Sequence, residues 1–62
     1  MTLSERIIEY RTREELSLAA FAAKAGVNRS TIYHAESGRS VSKSTAAKIE
    51  RVLEEAADGE EE

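Results

Sequence analysis

Apolar residues recur along this chain at helical rather than strand spacing. Leu3, Ile7 and Tyr10 stand at i, i+4 and i+7, one face of a helix. The residues TLSE at 2–5 form a capping box, in which the Thr2 hydroxyl takes the Glu5 amide and the Glu5 carboxylate takes the Thr2 amide. The helix it starts is expected to fade near residues 13–15. Ser17 follows Leu16 as a good N-cap. The run LAAFAAKAG behind it has high helix propensity, shares Phe21, Ala22 and Ala25 on one face, and stops at Gly26, which suits a left-handed C-terminal position. Ile8 falls off the first apolar stripe, and Leu18 and Ala19 are expected on the exposed edge of the second helix.

Asn28 is a cap candidate for a third helix over residues 28–37. At about 100° per residue, Ile32, Ala35 and Glu36 face one way and Ser30, Tyr33, His34 and Ser37 the other. Gly38 ends it. Ser42 is expected to cap a fourth helix, with Ala46, Ile49 and Leu53 at i, i+3 and i+7, Val52 and Ala56 bordering that stripe, and Gly59 as its latest end. No proline interrupts the pattern and no segment alternates like a strand. The expectation is an all-α, compact four-helix domain over residues 1–57, followed by an acidic disordered tail at 58–62.

The 62 residues allow one domain. A chain this short buries only about 60% of the surface it exposes when unfolded, so a partner would help it. It has no cysteine and one histidine, which excludes disulfides, thiolate metal sites and multi-histidine metal sites; no metal or cofactor is expected. No apolar run approaches the roughly 20 residues that span a bilayer, and the first residues lack the basic-then-apolar order of a signal peptide. A soluble cytoplasmic protein is the expectation. The net charge of −3 argues at first against a nucleic-acid partner, but its distribution does not. Residues 1–43 hold seven basic and five acidic side chains, a balance of +2, whereas residues 44–62 hold two and seven, a balance of −5.

The helices over 17–25 and 28–37 meet at a tight glycine turn. The first is alanine-rich on its packing face, allowing close approach, and the second has one apolar and one polar side. A helix-turn-helix needs these features, its second helix exposing a polar face to a major groove about 12 Å wide. Here LSLAAFAAKAGVNRSTIYHAESGRS resembles the Cro and phage-repressor (XRE-type) helix-turn-helix domains. Leu16-Ser17 matches the opening of the second helix, Phe21-Ala22 its apolar-alanine pair, Ala25-Gly26-Val27 the turn, residues 29–32 the start of the recognition helix, and Glu36-Ser37-Gly38 its ending. RIIEYR fits the first helix and SKSTAAKIERVL the fourth, so the likeness covers about residues 3–53. Glu15 stands where a turn glycine is common and Leu18 where glutamine is, and the family's fifth helix is not expected here.

The resemblance implies an ion pair between Arg11 and Glu36, which agrees with the cost of an unpaired inward carboxylate. It implies base contacts from Asn28, Arg29, Ser30 and His34 with Tyr33 beside them, and phosphate contacts from Ser17, Arg39, Ser40 and Lys43. Arg29 suits a guanine's O6 and N7. His34 has no nucleophile placed for it, so no catalytic residue is expected and the chain is not expected to be an enzyme. The leading expectation is a transcriptional repressor binding double-stranded DNA sequence-specifically as a homodimer on an inverted repeat, with Val41, Val52, Leu53 and Ala56 as dimer seam. The alternative is a protein-interaction module on the same fold, an antirepressor or antitoxin-like adaptor, motivated by Leu18, the net acidity and the missing fifth helix.

Overall fold

A computed structural model describes the backbone of residues 2–60 and the side chains of residues 2–55. Its elements are α1 (Leu3–Glu14), α2 (Leu18–Ala25), α3 (Arg29–Glu36) and α4 (Lys43–Glu60), with no strand among the described residues. The chain is all-α, as its periodicity predicts.

The caps explain where three of the helices begin. The Glu5 amide donates to Thr2 Oγ1 at 3.2 Å and the Thr2 amide to Glu5 Oε1 at 2.9 Å, closing the box at α1. Ser17 Oγ accepts from the Ala20 amide at 3.0 Å, and Ser42 Oγ from the Thr45 amide at 3.2 Å. Asn28 departs from expectation. It holds the extended backbone of an N-cap, φ −76°, but its side chain makes no capping bond. The carbonyl of Asn28 accepts from the amide of Thr31 at 3.0 Å instead, and its amide side chain is left exposed.

Two turns then redirect the chain. At Gly26, φ 75°, the Gly26 and Val27 amides both return to the Ala22 carbonyl, at 2.8 and 3.0 Å. Glycine adopts this left-handed conformation without a Cβ penalty. Glu15 ends α1 in the same conformation, φ 55°, while the Leu16 amide bonds to the Arg11 carbonyl at 2.9 Å. A non-glycine residue there costs about 1–2 kcal/mol. At the far end, α4 continues through Gly59 to Glu60, past the stop expected of that glycine. The side chains of residues 56–60, Ala56 among them, and the tail residues Glu61 and Glu62 lie outside the described residues.

Each helix sends apolar residues inward: Ile7 and Tyr10 from α1, Phe21, Ala22 and Ala25 from α2, Ile32 and Ala35 from α3, and Ile49, Val52 and Leu53 from α4. Phe21, Ile7, Ile32 and Ile49 are wholly buried, and Tyr10 meets Phe21 edge-on with centroids 5.6 Å apart. The alanines of α2 let it approach α3, the pair in most extensive contact, while α4 closes the other side against α1 and α2.

One expectation is corrected by this core, and another is constrained by it. Leu18 is half-buried and packs on the cluster rather than on an exposed edge, whereas Ala19 is exposed. Val52 and Leu53 retain only 5% and 8% of their surface, because α4 turns them toward α1 and α2 to complete a core with few other apolar residues. They are therefore not a free dimer seam in the monomer. Val41 packs half-buried at the core's rim, and Ile8 is exposed.

Candidate nucleic-acid interface

The end of α3 is fixed by one ion pair. Arg11 Nη2 donates to Glu36 Oε1 at 2.9 Å and Arg11 Nε donates to Glu36 Oε2, a two-pronged contact between α1 and α3. A third donor, Nη1, reaches the Leu16 carbonyl at 3.0 Å and ties down the turn into α2. The two side chains retain 24% and 13% exposure. The hydrogen bond to Glu36 holds the Arg11 guanidinium above its ordinary pKa; burial opposes that rise, and the carboxylate's charge adds to it. Ser4 Oγ donates to the Glu36 carbonyl at 2.6 Å, joining the start of α1 to the end of α3. Gly38, φ 86°, completes the stop, and the Arg39 amide returns to the His34 carbonyl at 3.1 Å.

So anchored, α3 buries Ile32 and Ala35 and turns its other side outward. Asn28, Arg29 and Ser30 are exposed at its leading end, and Tyr33 is 57% exposed. The Ser37 hydroxyl is occupied by the Tyr33 carbonyl at 3.0 Å. His34 differs from its neighbours in being half-buried, its ring edge-on to Tyr33 at 5.7 Å. The residues expected near phosphate are all exposed: Ser17 at the α2 cap, and Arg39, Ser40 and Lys43 where the chain leaves α3 for α4.

Charge is sorted in the same way. Among the described residues Arg6 pairs with Glu50 at 3.6 Å, Arg13 with Glu14 at 3.5 Å and Arg51 with Glu55 at 4.0 Å, all on α1 and α4. Arg29, Arg39 and Lys43 have no ion-pair partner among the described residues. Residues 16–49 contain Lys24, Arg29, Arg39, Lys43 and Lys48 but a single acid, Glu36, which Arg11 neutralises. The asymmetry between this stretch, five cations against one acid, and the acidic remainder is larger than that between residues 1–43 and 44–62. Anionic ligands therefore meet a cationic α3 region although the chain is acidic overall.

The eight residues of α3 span about 12 Å. A short helix with exposed amide, guanidinium, hydroxyl and phenol groups, held by a glycine turn over an alanine-rich partner, defines a helix-turn-helix domain. The helix-turn-helix family HTH_3 matches residues 7–58, and the chain belongs to that XRE-type family of Cro and repressor domains. No curated protein and no solved structure matches the chain. The family is one of DNA-binding regulatory domains and not of enzymes. Among the described residues no cluster of histidine and acidic side chains could hold a metal ion, and no helix is long and apolar enough to cross a membrane.

Proposed function

We propose that this protein represses transcription by binding double-stranded DNA sequence-specifically. One observation carries the reading: the leading end of α3 and the segment behind it hold Arg29, Arg39 and Lys43, three of the five cations without an ion-pair partner among the described residues, the other two being Lys24 and Lys48. In this reading α3 enters the major groove, where Arg29 and Ser30 at its leading end reach base edges and Asn28 and Tyr33 extend the surface. Asn28 is available because it does not cap its own helix. Ser17, Arg39, Ser40 and Lys43 fix the register on phosphates.

One eight-residue helix reads few base pairs, too few to select a site in a genome. The protein is therefore proposed to act as a homodimer on an inverted repeat with half-sites about 10–10.5 bp apart. With Val52 and Leu53 committed to the core, its seam would draw on Val41 and on α4 beyond residue 53. The protein-module alternative loses one of its motives, since Leu18 packs against the core.

Selection of bound fragments from random duplex DNA tests the proposal. An enriched inverted repeat with that half-site spacing is the expected result. Equal recovery of all duplexes at low salt would overturn sequence-specific binding, and a stable complex with another protein but no duplex would favour the alternative.

A further inference from the structure

His34 Nδ1 is the one side-chain nitrogen or oxygen among the described residues that is shut off from solvent with no hydrogen-bond partner. Nε2 of the same ring has no partner among the described residues either, yet it is not shut off from solvent. The two nitrogens of this half-buried ring thus stand in opposite environments.

A neutral imidazole carries one N–H and one bare nitrogen. Buried donors left without an acceptor are rarer in proteins than under-used acceptors. Placing the proton on Nδ1 would bury an N–H with nothing to receive it, and would leave the solvent-facing nitrogen bare. Placing it on Nε2 hides the bare nitrogen and sends the N–H outward. We infer that His34 is held as the Nε2–H tautomer and offers the DNA a donor alone, so that it selects a base edge presenting an acceptor and rejects cytosine. The inference rests on the reading of α3 as a major-groove helix.

The major-groove code supplies the rest. Guanine presents N7 and O6, both acceptors; adenine presents N7 and thymine O4; cytosine presents only the N4 amino donor. Two donors facing each other exclude both from water without a bond, the least favourable pairing. Guanine, with its two adjacent acceptors, is the base assigned to the position that His34 faces. His34 lies one turn beyond Ser30 on the same side of α3, so this position neighbours those read by Arg29 and Ser30.

Two measurements test this. Nitrogen NMR of the imidazole in the free protein, at a pH where the ring is neutral, is expected to show a protonated Nε2 and a bare Nδ1; the opposite tautomer or an even mixture would overturn the inference. Selection from random duplexes with the wild type, His34→Gln and His34→Ala then reads the base. The wild type is expected to disfavour cytosine at one position of each half-site by about tenfold. His34→Gln should shift that position toward adenine, whose N6 and N7 suit an amide, and His34→Ala should flatten it, with circular dichroism checking that each variant folds. A uniform loss over all sequences would mean a phosphate contact and would overturn the base assignment. Failure of the wild type to prefer any duplex would overturn the DNA reading and the base assignment with it, leaving the tautomer to be judged by the spectrum alone.

Discussion

Arg11 and Glu36 join three segments through three hydrogen bonds, so their removal has a calculable consequence. Hydrogen bonds to charged groups contribute about 1.5–3 kcal/mol each, and breaking one partner of a buried pair costs about 3–5 kcal/mol. With 24% and 13% of the side chains still exposed, the lower end applies, about 3 kcal/mol for Arg11→Met and about 2–3 kcal/mol for Glu36→Met. The total stability of a 62-residue chain is of order 3–9 kcal/mol, so either change alone removes a large share of it. The double variant removes both charges together and leaves only the Leu16 carbonyl without its donor, so it should lose about 3–4 kcal/mol rather than the sum. Urea unfolding followed by circular dichroism would measure a coupling of about 2 kcal/mol. Additive losses within about 0.5 kcal/mol would refute the claim that this pair holds α3 to α1. The sign of its alkaline dependence follows from the raised Arg11 pKa. A cation whose folded pKa is raised stabilises fully below its ordinary value and loses that contribution only as pH climbs through the raised one. The coupling should therefore be the same at neutral and mildly alkaline pH.

Other changes address the remaining parts. Glu15→Gly relieves a left-handed residue costing about 1–2 kcal/mol against the roughly 0.5–1 kcal/mol that glycine loses in entropy, so it should raise stability by about 0.5–1 kcal/mol and Tm by several degrees; an unchanged or lower Tm would contradict the strain. Phe21→Ala empties the centre of the core at a cost of about 3–5 kcal/mol, and a loss below about 1 kcal/mol in urea unfolding would argue against the packing described. Arg29→Ala should relax base preference at one position, whereas Lys43→Ala should weaken all duplexes alike and reduce the salt slope by about one, both readable from binding titrations at several salt concentrations.

Much of this fold is legible because caps and periodicity are local. The Thr2–Glu5 box, Ser17, Gly26 and Ser42 act through neighbours within a few residues, and the structure uses each as its spacing predicts. The Arg11–Glu36 pair spans 25 residues and was readable only through the family resemblance and the inward angle of Glu36. What could not be read depends on three-dimensional competition. Asn28 has capping chemistry but its side chain points elsewhere. Leu18 lies at the edge of an apolar arc, and only the position of the other helices decides that it packs inward. Val52 and Leu53 fit a seam and a core equally well by periodicity, and the small core takes them. The residue type of Glu15 bears no mark of a left-handed conformation, and only the family resemblance, which puts a turn glycine at that place, points to it. The unequal environments of the two His34 nitrogens are likewise a product of packing.

The central claim is that the outward side of α3 meets DNA. Amide chemical-shift mapping on adding a selected duplex tests it most directly. The account predicts perturbations clustered at Ser17, at Asn28, Arg29, Ser30, Tyr33 and His34, and at Arg39, Ser40 and Lys43, with Ile8, Glu9 and Glu54 unmoved. A cluster on α4 with α3 silent, or no perturbation by any duplex at low salt, would contradict it.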